Sequence, residues 1–449
     1  MKYFNCLLLF LLISTSLEAQ EINTLDYRLL RQDDVINIDS SLNFYYKIKE
    51  IKLGNETSLS FGGSHRFQIE GFVNEEFDKD LDQSDYWFLN RSMFHAHLKT
   101  SDRLAFFLEF NSSQIASKEN LAPVDKDQLG INQMFVDLNL SDHWSARIGR
   151  QNLRLGSGRL IDVREGPNIR LSFDMADLRY VKDNTQVSTF FGGPFRPDSG
   201  IFDNRIASEQ EYLTGVYWTQ NWTEKFNTDI YFIFKSEANK VWNNGMEDDN
   251  RASIGLRYFG DFHGLAYNNE IVVQIGKFGE QDIRAWTLSF DVKKPLVLQN
   301  GQVFHLGVRT ELISGDRSTD DASLNTFDGL YPRGAYFGRV ARFGPSNMFD
   351  IHPYLEFELG EVSFEFDYVA FWRLSVQDGL YGPPLNLAYL DLNDERFIGH
   401  QIGGIIGFSP QRQLSFEIES NIIFPKGFLS QSSLDDNLLH VVFTSEYKF

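Results

Sequence analysis

The chain carries a single cysteine, Cys6, and it lies at the edge of an N-terminal apolar run, so the rest of the sequence has none. No disulfide framework can staple that remainder, which must hold itself by hydrogen bonds and packing. Beyond residue 19 no stretch of eighteen apolar residues occurs, which excludes helices that span a membrane. Basic residues are scarce. Lys and Arg number 42 against 62 Asp and Glu, a net charge of −20. General nucleic-acid binding, which needs a basic surface, is therefore not expected. The sequence has no Walker loop, zinc motif or Gly-x-Ser-x-Gly, so no cofactor, metal or catalytic group is expected and the chain does not read as an enzyme. Asp78, Asp80 and Asp82 have the spacing of a calcium loop, but the following Gly is missing and Leu89 stands where the closing Glu belongs.

What the sequence does have begins at the N-terminus. Lys2, the apolar run Cys6 to Ile13 and the small residues around Ser14 to Ala19 have the layout of a secretory signal cut near Ala19. Cleavage there removes Lys2 and Glu18 together and leaves the net charge at −20. The remaining chain is rich in aromatics, with 41 Phe, 18 Tyr and 7 Trp, yet its mean hydropathy is only −0.31. The two facts agree because apolar and polar residues alternate. Leu104, Phe106, Leu108 and Phe110 share one face, and so do Val362, Phe364, Phe366, Tyr368, Ala370, Trp372 and Leu374. Such a wall has lipid on one side and water on the other.

About eighteen such segments can be counted, an even number. The last, Leu439 to Phe449, ends on the aromatic residue by which a terminal strand is recognised for assembly, so the barrel-assembly machinery and outer-membrane lipid are expected partners. Connections alternate short (Lys182-Asp183, Gly360-Glu361) and long (153–167, 193–210, 238–249, 315–348, 376–395). This sorting predicts an all-β, transmembrane antiparallel barrel of the bacterial outer membrane, with both termini periplasmic. The predicted organisation is a signal peptide at 1–19, a periplasmic lead-in at 20–58 and the barrel at 59–449.

Several runs resemble the alginate export family of outer-membrane porins. They are Tyr27 to Asp34, Arg147 to Gln151, Gly156 to Ile161, Arg164 to Arg170, Gly329 to Gly334 with Tyr336 to Gly338, Gly344 to Asn347, Phe371 to Arg373, Asp378 to Tyr381 and Phe424 to Leu429. They are spread over most of the chain and fall in one order. The resemblance implies an eighteen-stranded barrel that passes an anionic polysaccharide.

Strand parity gives a separate reading of the lumen. With the aromatic face toward lipid, Arg66, Arg91, Arg170, Arg251, Arg257, Arg309 and Arg373 point inward, and so does Lys235. Arg147, Arg150, Arg154, Arg159 and Arg164 crowd a stretch beside Gly156 and Gly158 that suits a loop folded into the lumen, and Arg333 lies in the long late loop. Arginine rings favour anions and grip carboxylates through paired hydrogen bonds. The opposing expectation is that these arginines only brace the wall against acids. Glu356, Glu358, Glu365, Asp367, Glu417, Glu419 and Glu446 also point inward, near the periplasmic end. The expected function is a passive pore for an anionic, alginate-like polysaccharide. An uptake porin for anions or oligosaccharides is the alternative, followed by an adhesin barrel or an outer-membrane enzyme.

Overall fold

The computed structural model describes residues 24–37, 44–78, 80, 84–205, 210–383, 385–390 and 393–449. The expected signal segment with Ala19 lies outside them, as does Asp82 of the calcium-like spacing.

Alternation yields strands with one greasy and one polar face, and here each strand hydrogen-bonds to the next until the sheet closes on itself. The barrel strands are β1 (Ser58–Val73), β2 (Ser84–Ser101), β3 (Leu104–Ala116), β4 (Asp127–Asn139), β5 (Trp144–Gln151), β6 (Phe173–Lys182), β7 (Thr185–Pro194), β8 (Glu211–Thr223) and β9 (Phe226–Trp242). They continue through β10 (Gly245–Phe262), β11 (Leu265–Phe278), β12 (Gln281–Val297), β13 (Val303–Ile313), β14 (Met348–Leu359), β15 (Val362–Trp372), β16 (Phe397–Gln411), β17 (Leu414–Pro425) and β18 (Leu438–Lys448). Neighbours are antiparallel throughout, and β18 closes onto β1 with Tyr447 opposite His65 and Glu446 opposite Arg66. Closure leaves no edge strand, which lipid could not hydrate. The chain is a transmembrane β-barrel of the outer-membrane type.

Exposed aromatics mark the two lipid–water boundaries. On β8, Tyr212 and Trp222 are both exposed and stand ten residues apart, a separation that fits an apolar band roughly 25 Å tall on a tilted strand. At one level the rings of Phe304, Phe357 and Phe364 follow one another across β13, β14 and β15 at 4.7 and 4.8 Å between centroids. Phe408, Phe416 and Phe443 continue the row on β16 to β18. Offset rings of this kind add to the energy of simple burial.

Both termini of the barrel lie at the end with the short turns. The other end carries the long connections, with one correction. The expected loop at 238–249 is a two-residue turn, Asn243-Asn244, because pairing between β9 and β10 continues to Trp242 opposite Gly245. Trp242 donates to Asp249 at 2.8 Å and fixes this extended hairpin. The strand expected at 168–180 starts only at Phe173, since the residues before it belong to a segment that turns into the lumen.

Candidate functional site

Two connections fold inward rather than away from the barrel. One is 152–172, between β5 and β6; the other is 314–347, between β13 and β14. Backbone bonds join them: Tyr331 N–H donates to the Leu160 carbonyl at 2.8 Å, and Asp162 N–H donates to the Tyr331 carbonyl at 3.0 Å. Ile161, Leu330, Tyr331, Phe337 and Phe343 are buried with inward side chains of the wall such as Phe173, Leu213 and Phe371. The loop-side half of the lumen thus has a hydrophobic core of its own, and burial is what holds the two segments inside.

Glycines permit the descent. Gly158 has a φ of +76°, and a Cβ there would stand 2.2 Å from the Asp162 carboxylate. Gly334 meets Pro167 where the segments touch, and a Cβ would come within 2.6 Å of the proline ring. Arg164, with no such freedom, is nevertheless held at φ +56°. A left-handed non-glycine residue costs roughly 1–2 kcal/mol and tends to mark a functional tip.

Most of the arginines predicted from the sequence have partners. Arg66 and Arg91 sit opposite one another on β1 and β2, a like-charge pairing that destabilises a sheet by itself. The infolded segment resolves it. Glu165 forms ion pairs with both Arg91 and Arg170. Arg66 donates to the Glu165 and Pro167 carbonyls at 2.7 and 2.9 Å. Arg159 reaches across to Glu311 at 2.6 Å and Glu270 at 3.5 Å on the far wall. Arg147 pairs with Asp137 at 2.7 Å, Arg154 with Asp162 at 3.4 Å, and Arg257 with Asp229 at 2.7 Å. Arg251 is fully buried against Asp249.

Two residues lie elsewhere than strand parity and crowding placed them. Arg150 is on the outer side of the wall, on the same face as exposed Ile148, where it pairs with Asp174 at 2.8 Å beneath the Phe195 ring. The tight cluster hid the alternation between Arg147 and Arg150. Arg373 sits just past β15 and is spent on backbone: it donates to the carbonyls of Asn393, Glu395 and Asp378 and so ties down the 373–396 connection.

The inward acids of the last strands are also partly matched. Arg309 lies 3.7 to 3.8 Å from Asp291, Glu356 and Glu365. His352 meets Asp367 at 2.7 Å, and Arg339 meets Glu417 and Glu419 at 3.0 and 3.4 Å. Arg339, like the wall acids Glu270 and Glu311, escaped the sequence reading. The acids were legible from parity, but a loop arginine has no periodicity to give it away.

Arg164 and Arg333 differ from the rest. They lie, half-buried, where the two infolded segments meet, and Arg164 donates to the Pro332 carbonyl at 3.1 Å. Arg333 donates to the Tyr336 carbonyl at 3.4 Å and rests 5.0 Å from the Tyr336 ring centroid. Among the described residues neither forms an ion pair with a carboxylate. Acids lie within electrostatic reach of both, Asp162, Glu211 and Asp328 for Arg164 and Glu311 for Arg333, but none forms a direct ion pair, so each guanidinium keeps donors that can take an anion through charge-assisted hydrogen bonds.

Comparison with known proteins adds the following. Residues 57–429 match the family model described as Alginate export. No curated protein matches. Among solved structures, Pseudomonas aeruginosa OpdQ superposes with a TM-score of 0.59 at 11% identity, covering 88% of this chain and 97% of its own. Pseudomonas aeruginosa OpdO gives 0.58 at 12%, covering 87% and 97%. Pseudomonas aeruginosa OccK11 (OpdR) gives 0.56 at 12%, covering 88% and 96%. At these identities the likeness is one of fold.

Proposed function

The chain belongs to the alginate export family, and from that premise we propose that it is a passive pore for an anionic, alginate-like polysaccharide, with Arg164 and Arg333 as the anion-contacting pair at its constriction. The observation that supports this is that these two form no direct ion pair with a carboxylate, among the described residues, in a lumen where other arginines are matched. A polyuronate offers one carboxylate per sugar, which is the missing partner. Such a pore has no energy source of its own and no reaction to catalyse. It lies in the outer membrane, with the terminus end periplasmic and the long connections outside.

The paired arginines, Arg66, Arg91, Arg147, Arg154, Arg159, Arg170, Arg251, Arg257 and Arg309, set the background potential. Neutralising Arg159 would strand Glu270 and Glu311, so it is a poor probe of selectivity. The informative variant is Arg164→Ala with Arg333→Ala. In a narrowed lumen each charge is worth about 1 kcal/mol to a passing anion, so anion preference should fall a few-fold. The measurement is the reversal potential in a salt gradient, with and without uronate oligomers. A cation-selective native pore would mean that Glu356, Glu365 and their neighbours dominate, and the assignment would fall.

A further inference from the structure

The segment that precedes the barrel does not stay outside it. Thr24–Asp26 and Val35–Asn37 pair as an antiparallel hairpin, and its loop turns into the mouth at the terminus end. Arg31 in that loop is 4% exposed; it donates to the carbonyls of Gly63 at 2.9 Å and Phe449 at 3.3 Å, and pairs with Asp34 at 2.9 Å. These partners sit on the seam where β18 closes onto β1. Deeper in, the Leu29 carbonyl accepts from Arg170 of the first infolded segment at 3.3 Å, and Gln32 meets the inward Gln133 of β4 at 3.4 Å. Asp33 is within electrostatic reach of Arg147 and Arg179 on β5 and β6. On the other side, Asp26 and Tyr27 face the β16–β17 turn and Lys448 across a cavity of about 550 Å³. The hairpin therefore reaches across the mouth from β16–β18 to β4–β6.

We propose that this hairpin, residues 24–37, is a lid on the terminus-side mouth, seated over β4 to β6 and the seam between β18 and β1 when closed and swung off them when the pore opens. The cations that it approaches are Arg170 of the infolded segment, paired with Glu165, and Arg147 and Arg179 of the wall, paired with Asp137 and Asp177. The wall that it leaves free, β12 to β15, carries Asp291, Glu356, Glu365 and Asp367 against Arg309 and Lys293. Closing the lid thus narrows the mouth on the β4-to-β6 side and leaves the β12-to-β15 side open. The innermost contacts are two polar bonds at the long end of the hydrogen-bond range, which cost little to exchange for water. The buried Arg31 supplies the anchor that returns the hairpin to its seat. Gating by the lid is independent of what passes; only the expectation of anion selectivity in the open state rests on the proposed function.

The test uses the full chain. Cys6 is its only cysteine, so a Cys6→Ser background with Gln32→Cys and Gln133→Cys places two thiols on the lid and the wall. A short bis-thiol reagent with a reducible linkage bridges them; a direct disulfide would need closer backbones than two facing glutamine side chains imply. Single-channel recording in potassium chloride should show two conductance levels before bridging, only the smaller level after it, and both again after reduction. Conductance unchanged by complete bridging overturns the lid. Arg31→Ala should increase time spent at the larger level several-fold; a variant that fails to assemble leaves the bridging result to decide. A gated larger level without anion preference supports the lid and removes the anionic substrate instead.

Discussion

At the scale of single residues, the lumen is governed by which charges have partners. Glu165 forms ion pairs with both Arg91 and Arg170, close to Arg66, and its side chain is 35% exposed. Glu165→Gln would leave the facing guanidiniums of β1 and β2 to repel each other and loosen the 152–172 segment. Because water reaches the site, the cost should be about 1–3 kcal/mol rather than that of a fully buried pair. Thermal unfolding should shift down, and open-channel noise should rise. Noise and stability like those of the native protein would show that the backbone contacts of Arg66 suffice. Asp378, in the connection after β15, offers a pH test. It accepts bonds from the Asp316 amide at 2.7 Å, the Thr326 hydroxyl at 2.6 Å and the Tyr381 hydroxyl at 2.8 Å. Burial nevertheless wins, pushing its carboxyl up from 3.8 to about 6. The folded chain then holds this proton more tightly than the unfolded chain, so its contribution to stability is complete at acid pH and is lost as pH rises through about 6. Hydrogen exchange in 373–383, corrected for intrinsic rate, should be slower at pH 5 than at pH 7.5. Asp378→Asn should flatten that difference.

At the scale of elements, the decisive features are two segments packed inside a closed wall. Their contact depends on Gly334 lying against Pro167, so Gly334→Val forces them apart and should cost about 1–3 kcal/mol by overpacking. The expected readout is a higher and noisier conductance with the barrel still heat-modifiable; an unchanged conductance would show that the tips do not narrow the passage. The final strand is the other element open to test. Phe449 and Gly63 exchange backbone hydrogen bonds at 2.8 and 2.9 Å, so Phe449 extends the closing pair between β18 and β1. Deleting it should lower the amount of heat-modifiable barrel in the outer membrane while synthesis stays constant. Equal amounts would remove Phe449 from both closure and recognition.

At the scale of the whole molecule, the net charge of −20 and the local cations of the lumen compete. Charges on the outer connections are screened beyond about 8 Å at physiological salt, whereas lumen charges act on ions that pass within contact distance. Anion preference should therefore persist at 0.15 M salt and weaken at 1 M, where screening reaches to about 3 Å. A preference that grows with salt would point to something other than fixed charge. The sequence by itself determined the strand number, the faces and the short-turn end. Each of these follows from a period of two and from turn residues, which are local properties; the alternation of Leu104 to Phe110 or Leu439 to Phe449 is visible without any partner. It also showed that cations crowd 147–170 and that acids line the last strands. Only the tertiary structure decided which of these charges are free. Arg159 is satisfied by Glu270 and Glu311, more than a hundred residues away, and Arg66 by the carbonyls of Glu165 and Pro167, whereas Arg164 and Arg333 form no direct ion pair among the described residues. Pairing across a lumen joins positions remote in the chain, and no periodicity records it.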